Sequence, residues 1–518
     1  MFFLRFVARF AAPLGAVKSP SHEEDFVDEL LSQDGSLLSR LIVGGPILSS
    51  PQHRKEFSVT GRQNSPEGEL LMTHHGLQAE LFEALCSIPL LDVHTHLVDG
   101  KLGARGLHDI LLYHMAVSDL YAAGCPSGAR LTQFPGWPSQ QEARQRILEA
   151  LPYLKYVRNT SISWGIRLVL EDLYGWKAPV DAGNWQRLDA LIRERADDRA
   201  WQREIMRRAN IQRYCTEYAR RESGQDRDIL QYSLEWAFFT RAQWGEFDTA
   251  LYELERCWGK KPESPSPIGG KRPPTARVIR SLDDVHAAIA HYVENIPYDE
   301  ILSVATGIST DIDLRVVSDQ EMTQALGRRA SAGPRERDVY ASYVNEAYLK
   351  ALEPHADQIV FQFSCAAEPL PFETGSRLSQ RTIGQLAEMI SRYPKIRFQC
   401  HLASRHANQS LCTMCRELPN FSLCGIWWHN FFPSVMRQVM EERLDMVPVN
   451  KQIGFFSDAY CLEWTYAKAR MILNQLSVVL AAKVEYGQYT RDDALAVARA
   501  ILYETPYELA GMRPAHAH

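Results

Sequence analysis

The stretch Pro89-Leu90-Leu91-Asp92-Val93-His94-Thr95-His96-Leu97 decides how the chain is read. An apolar run suited to a buried strand ends in two histidines one residue apart. On a strand, residues i and i+2 project to the same face, so His94 and His96 point together. Two imidazoles converging from a strand end make half of a metal site for an ion such as zinc, iron or nickel. In a chain with 16 His the pattern alone is weakly specific, so its meaning depends on its partners.

Those partners come from the second half, where short β-rich runs alternate with amphipathic helices. QIVFQFSC precedes GQLAEMISRY, IRFQCHLA precedes NQSLCTMCREL, and FSLCGIWWHN precedes SVMRQVMEERL. QIGFFSDAY then precedes a long C-terminal helical region. Start-to-start steps of about 24 to 38 residues suit βα units, whose crossovers take roughly 30. Repeated βα units mean a parallel sheet, either doubly wound or closed into a barrel. No G-x-G-x-x-G or G-x-x-x-x-G-K-[ST] follows a strand, which removes support for a nucleotide-binding sheet. The expectation is an α/β fold of the (β/α)8 TIM-barrel type. Chemistry then belongs at the C-terminal ends of the strands, where His94, His96, His401, Trp427, Trp428 and Asp458 fall.

Asp458 closes the last expected strand, after Gly454-Phe455-Phe456-Ser457. A carboxylate pushed into an apolar barrel mouth needs a cation or hydrogen-bond donors. His94, His96 and Asp458 supply two neutral nitrogens and one anionic oxygen, leaving a position open for water or substrate. First and last strands become neighbours when a barrel closes, which favours metal binding over a plain helix-capping role for Asp458.

The rest of the 518 residues frames this site. With 45% hydrophobic and 23% charged residues the composition is that of an ordinary globular protein. A net charge of -6 gives no footprint for nucleic acid or an anionic membrane surface. Ten dispersed Cys argue for a reducing, cytoplasmic setting, and Cys412-Thr-Met-Cys415, a lone C-x-x-C, reads as helix packing. No stretch approaches the roughly 20 apolar residues a membrane span needs. Residues 1–70 read as a poorly packed N-terminal extension, whose first 20 residues resemble a transit peptide or amphipathic arm. Residues 71–518 read as the barrel. A helix opens at Thr73, its N-cap, and repeats Leu77, Leu81 and Leu85. From about 105 to 260 the pattern is helical, a large insertion after the first strand, ending in a Pro/Gly-rich loop at about 257–278.

Taken together these residues resemble the uronate isomerases of the amidohydrolase superfamily, over about 73–512. His94-Thr95-His96-Leu97 is similar to the family's metal-binding first strand. Gly425-Ile426-Trp427-Trp428-His429-Asn430 resembles its Gly-x-Trp-Trp-Phe-Asn signature, and Ser457-Asp458-Ala459-Tyr460 its Thr-Asp-Ser-Arg. His114 falls where the family has a His followed by Tyr, and Arg405 matches an arginine after the sixth strand. The departures are Met115 for that Tyr, Tyr460 for a substrate-binding Arg, and Gln362 for a fifth-strand His. His401 is an added ligand candidate.

The resemblance implies an aldose–ketose isomerase acting on an acidic sugar, of the glucuronate-to-fructuronate type, with one divalent metal, expected to be zinc, on His94, His96 and Asp458. It implies catalytic roles for Asp458, His114 and Arg405, and substrate contacts from Arg405, Trp427, Trp428 and Tyr460. Two adjacent strand residues face opposite ways, so only one of the Trp pair is expected to line the pocket. The partner expected is the small acidic sugar, with neither nucleic acid nor membrane, and self-association stays open. The alternatives are a metal-dependent hydrolase or decarboxylase, favoured if His401 is a ligand, and a barrel that has lost catalysis.

Overall fold

A computed structural model of the chain describes residues 66–126, 139–236, 247–262, 277–367 and 377–512. Nearly all of the expected N-terminal extension 1–70, including its targeting-like first 20 residues, lies outside them, as does most of the 257–278 loop. The unit Pro66–His518 is compact by itself.

Among the described residues eight strands order the molecule: β1 (Leu90–Asp92), β2 (Ile211–Glu217), β3 (Leu230–Glu235), β4 (Ile301–Ile308), β5 (Val360–Cys365), β6 (Arg397–Leu402), β7 (Phe421–Cys424) and β8 (Gln452–Ile453). All pair in parallel and in sequence order, giving a TIM-like α/β sheet. Its outer edges meet just past β1 and β8. There Asp458 N donates to His94 O at 2.9 Å and His96 N to Ala459 O at 2.8 Å. Deeper down β8 is too short to reach β1. The π-helical turn Ala500–Glu504 stands there instead, and its Ile501 carbonyl accepts from Gly454 N at 2.7 Å. Gly454 permits this approach, since a Cβ would lie 2.9 Å from Ile501 Cγ1.

Strand alternation sorts the residues. Phe361, Phe363 and Phe398 pack against one another and beneath the helices. Gln362 and Gln399, on the opposite face, hydrogen-bond each other at 3.1 Å. The Gln362 carbonyl also accepts from Ser303 Oγ at 2.9 Å, so its amide is engaged within the sheet.

The leading helix, α1 (Pro66–Cys86), starts seven residues before the Thr73 cap expected from sequence. Proline's fixed φ and missing N–H suit a first turn. Between β1 and β2 stand α2 (Leu107–Leu111), α3 (His114–Ala122), α4 (Gln140–Ala150), α5 (Ser161–Leu168), α6 (Trp185–Arg195) and α7 (Arg199–Ala209). The helical block expected over 105–260 is therefore corrected, because β2 and β3 lie inside it. The sequence shows a smooth amphipathic run into IQRYC, but Asn210 takes the left-handed conformation (φ 53°) and ends α7. Polar residues on the inner face of β2, such as Arg213 and Glu217, hide the strand in a helix-like pattern.

The helices after the strands are α8 (Phe247–Cys257), α9 (Leu282–Glu294), α10 (Asp319–Gly327), α11 (Pro334–Leu352), α12 (Gln380–Arg392), α13 (Asn408–Glu417), α14 (Pro433–Met446), α15 (Leu462–Glu485), α16 (Arg491–Arg499) and α17 (Thr505–Leu509). Cys412 and Cys415 are buried and unbridged on α13, as packing residues. No helix among the described residues is long and apolar enough to cross a membrane.

No α-helix joins β2 to β3, only a 3-10 turn over Tyr218–Arg220. Their connection is tied to the segment after β1 by buried Asp99, which accepts from Ser223 N, Ser223 Oγ and Asp226 N, each at 3.0 Å, and from Gly224 N. Burial opposes the Asp99 charge, but these donors outweigh it and hold the carboxyl below its usual range. A depressed carboxyl contributes stability at neutral pH that is lost as pH falls below about 4 toward the folded value. Asp99→Ala should lower unfolding free energy by about 3 kcal/mol at pH 7, because four donors lose a charged acceptor. Urea midpoints at pH 7 and pH 3 check this: the gap between wild type and variant should shrink in acid.

Candidate metal centre

The chain leaves β1 at Asp92 and carries His94 and His96 over the carboxyl rim. Asp92 is fully buried and takes the backbone N–H of Ser457 at 2.9 Å, drawing the segment after β8 toward β1. Burial raises the Asp92 carboxyl to about 7. Five residues past β8, Asp458 adopts φ 53°, a left-handed conformation that Asp tolerates better than most residues. Its side chain caps no helix: the N-cap of α15 is Cys461, which makes no side-chain cap bond. The helix-capping alternative for Asp458 is thereby removed.

Instead, Asp458 Oδ1 lies 3.2 Å from His96 Nε2 and 3.5 Å from His94 Nε2. One ligand atom from each of His94, His96 and Asp458 falls within 4.8 Å of the others, a group able to hold a metal ion. Both histidine side chains keep 16–17% of their surface open, so solvent reaches the group. Burial disfavours charge on His96, but Glu217 and Asp458 outweigh it and raise the ring to about 9. Burial likewise opposes the Asp458 charge, yet hydrogen bonds from His94 and His96 and the nearby Lys468 hold its carboxyl well below the ordinary range. His96 carries a proton that a metal would displace.

Glu217, the last residue of β2, fits that reading. It accepts from His96 Nδ1 at 2.9 Å and is itself paired with Arg220. A carboxylate behind a histidine fixes the ring and leaves Nε2 as the ligand atom, as metal-binding histidines require.

His401, at the end of β6, sits with its ring 5.0 Å from His94 and 4.7 Å from Phe456. Its Nδ1 is 3.4 Å from Ser364 Oγ, while Nε2 is buried without a partner. Burial pushes the ring far below its usual pKa, so it is neutral, as a ligand must be. Gln362 is not available to the group, its amide being spent on Ser303 and Gln399.

Beyond the ligands stands an aromatic wall. Tyr460 stacks on His96 at 4.5 Å and 12°. His114, at the start of α3, lies 5.7 Å from Tyr460 and 5.2 Å from Trp428, both ring nitrogens buried and unpartnered. Burial lowers His114 to about 3, which keeps it neutral. The paired tryptophans do not lie on a strand, so the opposite-face expectation is corrected. β7 stops at Cys424, Gly425 turns with φ 53°, and Trp428 itself has φ 48°. Trp428 reaches His114, whereas Trp427 packs on the interior cluster of Leu91, Val93, Cys424 and Phe456. Buried Arg443 holds the turn by donating to Gly425 O at 2.6 Å.

Arg405 is not brought to this group: it is exposed, and its guanidinium is hydrogen-bonded to Gln438 on α14. Four residues that sequence reasoning missed do belong here: Glu217, Arg220, Tyr113 and Lys468. Arg220 pairs with Glu217 and lies 6.0 Å over the Tyr460 ring. Tyr113 OH donates to Asp458 O at 2.8 Å, and Lys468 Nζ donates to Tyr113 OH at 2.6 Å. No pattern in the sequence singles out any of the four.

No protein-family model matches the chain, and no curated protein does. Solved structures do. Uronate isomerase from Thermotoga maritima aligns at TM-score 0.67 and 13% identity, over 84% of this chain and 97% of that one. Glucuronate isomerase from Caulobacter crescentus aligns at 0.69 and 15%, over 86% and 96%. Uronate isomerase from Bacillus halodurans aligns at 0.60 and 15%, over 85% and 98%. The chain has the fold of these isomerases along nearly their whole length.

Proposed function

We propose that the chain is a metal-dependent aldose–ketose isomerase of the uronate isomerase type, working on an acidic sugar in a reducing, cytoplasmic setting. The observation that carries this reading is the convergence of His94 Nε2 and His96 Nε2 on Asp458 Oδ1, with Glu217 behind His96. The fold shared with three such isomerases supports it, as does the finding that all ten Cys are unbridged. A divalent ion, zinc for preference, would be held by His94, His96 and Asp458; when bound it would polarise the substrate's carbonyl and hydroxyl oxygens.

The reaction moves one proton from the carbon beside the carbonyl to the carbonyl carbon and a second from the adjacent hydroxyl to the carbonyl oxygen, through an enediol, so it needs an anionic acceptor. Asp458 is that acceptor, since its carboxylate stays ionised. His114 stays neutral and orients a substrate hydroxyl through its unpartnered nitrogens. Trp428 and Tyr460 exclude water along one wall.

His401 favours a second reading. With Nε2 buried and unpartnered beside His94, it would complete a three-histidine, one-aspartate set suited to hydrolysis or decarboxylation. Proton NMR of the metal-loaded protein with glucuronate and galacturonate, and separately with lactones, amides and aromatic acids, tests both. Isomer interchange without loss of mass supports the first; hydrolysis or carbon dioxide release with inert uronates overturns it.

Arg405, turned outward onto Gln438, should matter little. Arg405→Lys should leave kcat/KM within about threefold, while Tyr460→Phe, which removes the hydroxyl this residue offers a substrate oxygen, should lower it by about tenfold, the worth of one hydrogen bond. Steady-state kinetics on the sugar identified by NMR decides between them.

A further inference from the structure

The mechanism makes no use of Lys468, yet this side chain is among the most deeply buried cations in the protein. Only 3% of it is exposed, on the second turn of α15. Its ammonium sits over two aromatic faces, 4.9 Å from the Tyr113 ring centre and 4.8 Å from that of Phe431. It donates to Tyr113 OH, which donates in turn to the backbone carbonyl of Asp458. It also stands 3.8 Å from Asp458 Oδ2, too far for a hydrogen bond but close enough for charge attraction in a buried setting.

Asp458 is thus pinned from two sides. Its N–H is tied to His94 O and its C=O to Tyr113 OH, which fixes both flanking peptides around a left-handed residue. Its two carboxylate oxygens are told apart as well: Oδ1 faces the imidazoles and Oδ2 faces Lys468. We propose that Tyr113 and Lys468 form a buried brace that positions Asp458, holding its backbone turn and presenting a single carboxylate oxygen to the metal. Tyr113 comes from the segment between β1 and β2 and Lys468 from α15, so the helices inserted after the first strand form part of the site's support. Both are positioning residues. The inference rests on the metal reading given above.

The test uses Co(II) alone as probe, on the full chain stripped of metal and reloaded. Chelator competition gives affinity, and the visible absorption of bound Co(II) reports its ligand geometry. Tyr113→Phe keeps the ring and removes one hydroxyl. Lys468→Met keeps the stem and removes the charge. Each should weaken Co(II) binding by roughly 10- to 100-fold, the usual effect of removing support behind a ligand, and should change the absorption spectrum. Arg405→Ala, remote from the group, should change neither. If Lys468→Met does not fold, Tyr113→Phe decides alone. Affinity and spectrum within twofold of wild type in folded Tyr113→Phe would overturn the brace. His94→Ala separates the two levels: if it binds Co(II) as wild type does, the metal reading fails and the brace with it. If His94→Ala loses Co(II) while Tyr113→Phe keeps it unchanged, only the brace fails.

Discussion

Asp458→Asn should abolish bound metal and lower kcat/KM by about a thousandfold or more, the scale of losing a central electrostatic group. The substitution keeps the side chain's shape and removes the charge on which His94 and His96 converge. It also leaves Lys468 buried beside a neutral amide. Breaking a buried pair typically costs about 3–5 kcal/mol, but burial already lowers Lys468 to about 8, so it can release its proton. We expect the fold to survive with a loss of about 2 kcal/mol. Metal content by elemental analysis and activity on the sugar identified by NMR are the two measurements. A variant with wild-type metal and near-normal turnover would remove Asp458 from the site.

A second large effect should follow from a single methyl group. Gly425 sits at φ 53° where the chain leaves β7, and a Cβ there would lie 2.1 Å from Phe456 Cδ1. Phe456 cannot retreat, being fully buried against the rings of His94 and His401. Gly425→Ala adds a left-handed strain of about 1 kcal/mol and an overpacking cost of about 1–3 kcal/mol. Thermal unfolding should fall by several degrees or more, and metal affinity should fall with it as His94 is pushed aside. A Tm and metal affinity equal to wild type would mean the turn relaxes without touching Phe456.

How much of this could be read beforehand depended on where each residue's signal came from. β5 to β8 were legible because their apolar faces pack under helices, as Phe361, Phe363 and Phe398 do, whereas β4 (Ile301–Ile308) went unread. β2 and β3 were not legible, because Arg213, Glu217 and Gln231 give them a polar alternate face, which in β2 continues the pattern of α7. With β2 hidden, Glu217 could not be placed at a strand end, and the support behind His96 was lost with it. His94, His96 and Asp458, which converge, could be grouped beforehand because residue type and rim position both pointed to them. Arg405 was placed by motif alone, and a motif does not tell which way a long side chain turns. Tyr113 and Lys468 act through a backbone carbonyl in the left-handed stretch at Asp458, a contact no residue pattern announces.

The meeting of the two sheet edges has a consequence for how the molecule assembles. Along β1 to β8 each strand finds its neighbour within the next stretch of chain, but the last junction joins residues 362 apart, as His96 and Asp458 are. Loop-closure entropy makes that joint the costliest to form and the natural last step of folding. At the rim it is held by the backbone bonds at His94 and His96 and by the Ser457 N–H on Asp92, with the Ala500–Glu504 turn standing in below. An ion gripping His94, His96 and Asp458 would therefore act as a fastener across the seam, linking chain ends as a disulfide would but reversibly. Amide hydrogen exchange at His96 and Asp458 should slow on metal loading far more than at the strands opposite. Stripping the ion should loosen this junction of the sheet edges before the rest of the sheet gives way.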